Sequence, residues 1–401
     1  MKFLKKIKIK VEDYSIGVFE TIVLVFLSIA LGTLIGIKIN TKKDKVVKDK
    51  NVEKFIDNYN YIIDNYYEDV DKKKLIDDAI AGMMQTLDDP YSVYMDSDIT
   101  KNINISLNGE YEGLGLAVTK NDDDLIEVVG VFKNSKAEKS GIKVGDIIKK
   151  INNKDSKKLT PSDFSNYVLE GKETNFDLVI ERDGKELSIT LEKSVVVIDS
   201  VISKVLNENN KKIGYIYISV FASNTAFQFK TKLKELEKEN IDALIIDVRD
   251  NTGGHLTTVE AILKEFMTKK QVIYGLKTKD KTTKVYGSAK GNKKYSIVLL
   301  GNENSASASE MLIASLKENL KAKFIGKKTY GKGTVQEMVT LDSKDKYKIT
   351  TKKWLTPNGN WINDTKGIEP DYNVDTKNRY FDDDSSDDQQ LKKTIDIIGN
   401  K

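Results

Sequence analysis

Two short strings carry the residue types that could do chemistry in this chain. One is Asn304-Ser-Ala-Ser-Ala-Ser-Glu310; the other is Gly331-Lys-Gly333, with Thr334 and Gln336 just beyond. The chain has no cysteine, so thiolate chemistry is excluded, and its single histidine is His255, far from both strings in sequence. A serine nucleophile would therefore recruit that one imidazole or a desolvated lysine. Lys332 is such a lysine candidate, because its glycine neighbours let other backbone approach closely. Its pKa must fall by several units from the ordinary value of about 10.4 before it is a base near neutrality, and burial away from counter-charge does that. A strand period of two would put Lys332, Thr334 and Gln336 on one face, where the glutamine amide can accept a hydrogen bond from the amine and aim it. Plainer readings exist for the same residues. Ser307-x-x-Glu310 is a capping box, so Ser307 can be simply an N-cap, and Lys332 can be a turn lysine.

The surrounding pattern says how these residues would be held. Residues 297–300 form an apolar run that reads as a buried strand, and small residues over 305–309 allow a sharp turn. Met311, Leu312, Ser315, Leu316 and Leu320 then follow helical spacing. A strand-to-helix corner presents a side chain at a helix N-terminus, where free N–H groups and the dipole favour developing negative charge. A second corner has the same design. The apolar strand 241–248 runs into Asp247-Val-Arg-Asp-Asn-Thr-Gly-Gly254, and a helix is expected over 256–267.

Taken whole, the 304–310 and 329–336 strings closely resemble the C-terminal processing peptidases, also called tail-specific proteases. The resemblance implies Ser307 as nucleophile, Lys332 as general base and Gln336 as the amide that orients the lysine, with Ser305 and Ser309 non-catalytic. It also implies an oxyanion hole made by the N–H of Gly253 or Gly254 together with that of Ala308. Glu318 stands near a position where some members have aspartate, and no role is given to it. His255 is expected as a surface or helix-start residue. Asp247 and Arg249 are expected to form structural pairs as well as to shape the turn. The acidic residues Asp382, Asp383, Asp384, Asp387 and Asp388 are expected as a solvated loop.

Between residues 107 and 194 the pattern changes to short strands with glycine turns. Strands are expected near 113–118, 128–131 and 145–152, helices over 137–141 and 161–169, and a hairpin over 175–191 that turns at Asp183-Gly184. This order resembles a PDZ domain, with Gly113, Leu114, Gly115 and Leu116 as the loop that takes a peptide's C-terminal carboxylate while the peptide adds as a strand. Glu170 stands where peptidases of this group often carry arginine. Upstream, apolar residues recur helically from Val52 and again over 72–87. Residues 87–94, Leu-Asp-Asp-Pro-Tyr-Ser-Val-Tyr, look like the segment that precedes the PDZ domain in these peptidases, and as residues alone they read equally well as a proline turn.

Residues 16–37 are almost uninterruptedly apolar, long enough to cross a bilayer as a helix. The length of 401 residues suits several domains: a tail and anchor over 1–40, a linker and helical region over 41–106, the PDZ domain over 107–194, and the peptidase core over 195–401. The expected fold class is α+β multidomain, with an N-terminal transmembrane helix, a helical region, a β-rich PDZ domain and an α/β serine-peptidase core. A net charge of +4, with both signs mixed throughout, gives no case for nucleic acid. One histidine and no cysteine argue against a transition-metal site, and no cofactor is expected. The resemblance implies a bacterial, single-pass membrane enzyme with its catalytic part outside the cytoplasm. Its partners would be protein or peptide substrates with free C-termini, and a homodimer is left open. Two rival functions fit parts of the pattern: a non-catalytic PDZ adaptor at a membrane, and a serine–histidine hydrolase through His255.

Overall fold

The computed structural model describes residues 49–95, 107–291, 293–341, 346–376 and 387–399. The apolar run 16–37 and the acidic residues Asp382, Asp383 and Asp384 lie outside them. Among the described residues no helix is long and apolar enough to cross a membrane.

The chain divides into two units, residues 1–80 and 81–401. The first carries the helix Lys50–Asn65, capped by the Asp49 carboxylate on the Asn51 N–H at 2.8 Å. The expected apolar stripe is present, but none of its residues is buried; Ile56 is half exposed. The helix Lys72–Gln85 follows.

The second unit opens its β-rich part with a two-stranded ribbon, Glu110–Gly113 against Ser194–Val197, which brings the entering and leaving chain side by side. Between them lies an antiparallel sheet in the order Leu116–Lys120, Ile126–Val131, Ile147–Ile151, Asn175–Arg182, Lys185–Glu192. Asp183 and Gly184 both have positive φ at the hairpin turn, as expected of the Asp-Gly pair. The helix Pro161–Glu170 starts with a capping box between Thr160 and Asp163 and buries Phe164 and Val168 against the sheet. Among the described residues Leu116–Lys120 pairs on one side only, which makes it an edge strand of this sheet.

The larger part of the unit holds a six-stranded sheet in the order Val201–Glu208, Lys211–Ile218, Ala243–Asp247, Ser296–Gly301, Lys323–Gly326, Tyr372–Asn373. The first pair is antiparallel and the rest are parallel. Both faces are covered, so the central strands are apolar without alternation. Ile216, Leu244, Ile246 and Leu299 pack under the helices Thr225–Lys238, Leu256–Leu263 and Ala308–Leu320; Tyr215, Ile245, Val298 and Leu300 pack under Gln389–Gly399. The helix expected over 256–267 stops at Leu263, and the chain leaves through a looser turn. A second sheet pairs Lys346–Leu355 with Thr334–Thr340, with Val93–Met95 and with Val272–Lys277. The parallel strands 243–247 and 296–301 both end at the two chemical corners, where ligands bind open α/β sheets.

Candidate active site

The two corners are stitched to one another by side chains. Ser305 Oγ donates to the Val248 carbonyl at 2.8 Å, and Ser309 Oγ donates to the Asn251 carbonyl at 2.7 Å. Both serines are fully buried, whereas Ser307 between them is half-buried. The alternating serines thus split by role, two holding the neighbouring turn and one facing outward. Asn302 and Asn304 amides both reach the Asp250 carboxylate, closing the seam. Ser307 has φ 55° and ψ −111°, a strained conformation for a residue with a side chain. It immediately precedes the helix Ala308–Leu320.

The opposing turn is built to approach Ser307 closely. Gly253 has φ 109°, and a Cβ there would lie 2.9 Å from the Ala306 carbonyl oxygen and 3.0 Å from Ser307 Cβ. Its N–H is taken by Asn251 Oδ1 at 2.9 Å. Of the two glycine amides expected at an oxyanion hole, that leaves Gly254, which together with the Ala308 amide has no hydrogen bond among the described residues. His255 caps the helix Leu256–Leu263, and its N–H binds the Phe221 carbonyl at 2.7 Å, as expected of a helix-start residue.

Behind the turn, Arg249 is buried and held on both sides. Asp247 takes its Nη2 at 2.6 Å and Asp388 takes it at 2.8 Å, while Gln390 accepts from Nη1 at 3.1 Å. Asp388 is 2 % exposed, so the expectation of a solvated acidic loop fails there. An unscreened guanidinium needs that carboxylate, and composition alone hides the pairing. Burial works against the Arg249 charge, but Asp247 and Asp388 outweigh it and raise its pKa.

Glu310, read from the sequence only as half of a capping box, organises the rest. Its Oε2 accepts from the Ser307 N–H at 2.8 Å and from the Lys332 N–H at 2.9 Å. Its Oε1 accepts from Thr329 Oγ1 at 2.6 Å and the Gly331 N–H at 2.7 Å. Burial pushes the carboxyl above its usual range, and these four donors oppose that. The Gly331-Lys-Gly333 segment is clamped from the other side by two indoles. Trp354 donates to the Lys332 carbonyl and Trp361 to the Gly333 carbonyl, each at 2.9 Å. A Cβ on residue 333 would meet the Trp361 ring nitrogen at 2.5 Å, which explains the glycine.

Lys332 lies just before the strand Thr334–Thr340, and the ladder slips between Val335 and Gln336. The slip skips Thr351 of the facing strand, so the extra residue lies in Lys346–Leu355, and the side chains of Thr334 and Gln336 still meet as a two-residue period requires. Lys332 Nζ sits 4.4 Å from the centre of the Tyr91 ring and has no ion pair or hydrogen bond, to Ser307 or Gln336 included, among the described residues. Burial pulls its pKa down to about 8, Lys348 adds to the effect, and Asp89 and Glu310 oppose it. Gln336 Nε2 donates to Thr334 Oγ1 and Thr350 Oγ1, both at 2.9 Å, which leaves Oε1 free to accept. Glu318 accepts from the Asn358 N–H on the surface, away from this network.

In the β-rich part, Gly113 ends the first ribbon strand, Leu114 is buried, Gly115 has φ 85° and Leu116 begins the edge strand. The four residues expected to receive a carboxylate thus form one loop that leads into this edge strand. Among the described residues no cluster of metal-ligating side chains occurs.

A strained serine at a helix entrance and a partly dehydrated lysine beside a β-rich module with an edge strand suit a serine-type peptidase. Comparisons with known proteins agree. Residues 212–374 match Peptidase family S41, residues 127–182 match a PDZ domain, and residues 34–99 match the activating protease CtpB N-terminal domain. The chain is 40 % identical to the carboxy-terminal processing protease CtpB of Bacillus subtilis over 80 % of its own length and 68 % of the relative's. It is 34 % identical to CtpA of the same organism over 82 % and 70 %. A putative S41 protease from Bacteroides fragilis shares the fold, with a TM-score of 0.50 at 15 % identity, over 84 % of this chain and 98 % of that one. The protein belongs to peptidase family S41, among the carboxy-terminal processing proteases.

Proposed function

We propose that this protein is a membrane-anchored endopeptidase that cuts proteins near their C-termini with a Ser307–Lys332 dyad. The observation that carries the reading is the shared Glu310 Oε2, which accepts from the backbone N–H of both Ser307 and Lys332, on a lysine whose amine is pulled down to about 8 by burial. In the neutral form, with its side chain swung from the Tyr91 ring, Lys332 takes the Ser307 proton as Oγ attacks the scissile carbonyl. Gln336 Oε1 accepts one amine N–H and aims the lone pair. The tetrahedral oxyanion is met by the Gly254 and Ala308 amides, the latter at the helix N-terminus. Lys332 then protonates the leaving amine, and later deprotonates the water that releases the acyl group.

The edge strand Leu116–Lys120 supports capture of substrate tails as an added strand, with the Gly113–Leu116 loop at the carboxylate. The apolar run 16–37 supports a single-pass anchor in a bacterial membrane, with the catalytic part on the extracytoplasmic side. One experiment tests the enzyme against the adaptor. A serine-directed acylating probe should label the wild type and not Ser307→Ala, and a model protein with a free apolar C-terminus should be cut only by the former. Equal labelling, or cutting by Ser307→Ala or Lys332→Ala, removes the dyad.

A further inference from the structure

The sheet face that carries the Gln336 amide continues into a cleft that the chemistry described so far does not use. Thr334, whose hydroxyl accepts from Gln336 Nε2 at 2.9 Å, stands directly opposite Lys353, and Lys353 stands directly opposite Lys277. Residues opposite one another in an antiparallel ladder share a face, so Thr334, Lys353 and Lys277 form one row across three strands. Leu276 and Trp354, the neighbouring pair, point the other way into the core. Lys277, Lys353 and Leu355 line one side of a cleft of about 540 Å³, with Asn360, Trp361 and Asp364 around them. Like charges directly opposite one another repel. Both lysines are nevertheless exposed and without an ion pair among the described residues. Lys353 Nζ lies 3.5 Å from the centre of the Trp361 ring, and that indole is itself fixed by donating to the Gly333 carbonyl at 2.9 Å. Asp364 sets one negative charge against two positive ones, so the cleft stays net positive.

We propose that this cleft is a substrate subsite for an acidic side chain, with Lys277 and Lys353 taking the carboxylate of an aspartate or glutamate close to the bond that is cut. The proposal rests on the endopeptidase reading and deepens it by giving it a sequence preference. Neighbouring strands lie about 4.8 Å apart, so Lys353 and Lys277 follow Thr334 at about 5 and 10 Å across the sheet. An extended peptide advances about 3.3 Å per residue, so a substrate crossing this face from the dyad meets the pair about two to four residues from the cut. Each lysine ammonium is a point charge with three donors on a flexible stem, so two of them can close on one carboxylate from either side. Leu355 gives the methylenes of the incoming side chain an apolar surface. A chain-terminal carboxylate has the same chemistry. The Gly113–Leu116 loop is the place proposed for that group, and a side chain in the cleft leaves the tail free to bind there.

The test is kcat/KM of the full chain on a peptide series in which a glutamate, or a glutamine in its place, occupies one position at a time on both sides of the cut. At one position glutamate should be favoured over glutamine roughly 5- to 20-fold, the size expected of two partly exposed ion pairs. Each preference is a ratio within one preparation, so the folded fraction and the strength of the dyad cancel. The ratio should fall to about one in the double variant Lys277→Gln, Lys353→Gln, and in Lys277→Glu glutamine should become the better residue. Both lysines are exposed and repel one another, so these replacements leave the fold intact. No glutamate preference at any position in the wild type, or one that persists in the double variant or in Lys277→Glu, overturns the proposal. The same series with amidated C-termini should keep the preference; its loss there would assign the lysines to the chain end and overturn the side-chain reading. Cutting by Ser307→Ala sinks the dyad reading instead, and the glutamate ratio tells that failure apart from this one.

Discussion

Ser307 and Lys332 have their backbone amides on one oxygen, Glu310 Oε2, at 2.8 and 2.9 Å. The proposed nucleophile and base are therefore located relative to one another by main chain, before any contact between their side chains. A buried carboxylate serving four donors cannot be replaced by an amide without turning an NH2 toward N–H groups. Glu310→Gln should lower kcat by roughly 100-fold or more and destabilise by about 2–4 kcal/mol, since unmet buried donors cost about 1–3 kcal/mol each and part of the set survives. Peptide hydrolysis with denaturant unfolding measures both. An active, equally stable Glu310→Gln would show that the shared oxygen is incidental.

On the proposed dyad, the lysine sets the pH dependence. With its pKa pulled down to about 8, the neutral amine is a minority at pH 7 and dominates above 8.5, so kcat/KM should rise through a limb near 8. A flat profile from pH 6 to 9 would be incompatible with a lysine base of that pKa.

The same shift has a stability consequence. The folded value lies below the unfolded one, so between about 8 and the ordinary lysine value the unfolded chain binds more protons, and stability rises with pH across that window. Below about 8 both states hold the proton, and the folded state bears the full cost of burying the ammonium. Lys332→Met removes that cost. The shift corresponds to about 3 kcal/mol at face value, and partial exposure of the side chain reduces the expected gain to about 1–2 kcal/mol. The Tm of Lys332→Met should exceed that of the wild type at pH 7 and approach it near pH 10. A lower Tm at pH 7 would mean that packing of the lysine stem outweighs the buried charge.

The elements that carry chemistry were legible in the sequence wherever local chemistry alone fixes them. The Ser307 corner, the glycine turn at 253–254, the hairpin at Asp183-Gly184 and the helix Pro161–Glu170 all stand where their turn and cap residues put them. What escaped is what depends on partners distant in the chain. The strand Lys323–Gly326 is only four residues long and becomes a strand by docking beside Ser296–Gly301. Three of the four partners of Glu310 lie 19 to 22 residues on, and Asp388 meets Arg249 across 139. Tyr91 looked like part of a proline turn because nothing local points to a lysine in another sheet. The β-bulge opposite Gln336 skips Thr351 of the facing strand, and no periodicity in either segment announces it.

The Arg249 cluster links the C-terminal segment to the glycine turn. Asp388→Ala would leave a buried guanidinium with Asp247 and Gln390 alone, and losing one member of such a pair costs about 3–5 kcal/mol. The variant should unfold at markedly lower urea, and its remaining folded fraction should have a depressed kcat, since Arg249 directly precedes the turn 250–254. Asp388→Asn keeps a hydrogen-bond acceptor and should lose roughly half as much stability. Wild-type urea midpoints in both variants would mean that Asp388 is solvated in solution.

The two glycines of the turn should fail differently when given a methyl group. At Gly254 the new Cβ would lie 2.3 Å from the Phe221 carbonyl oxygen, which is backbone already bonded to the His255 N–H and cannot step aside. Gly254→Ala should therefore lose stability first. At Gly253 the contacts are 2.9 Å to the Ala306 carbonyl oxygen, 3.0 Å to Ser307 Cβ and 3.2 Å to the Ala308 nitrogen. These atoms belong to or adjoin the proposed nucleophile and oxyanion donor, so a shift of a few tenths of an ångström should be felt in the transition state more than in the fold. An oxyanion-hole donor contributes about 3 kcal/mol to lowering the barrier, so Gly253→Ala should lose roughly 100-fold in kcat with KM almost unchanged. The strain of alanine at φ 109° adds about 1–3 kcal/mol of destabilisation. Kinetics and thermal unfolding on the same preparations separate the two effects. A Gly253→Ala enzyme with wild-type kcat would show that the close approach of this turn to Ser307 serves packing and leaves the chemistry untouched.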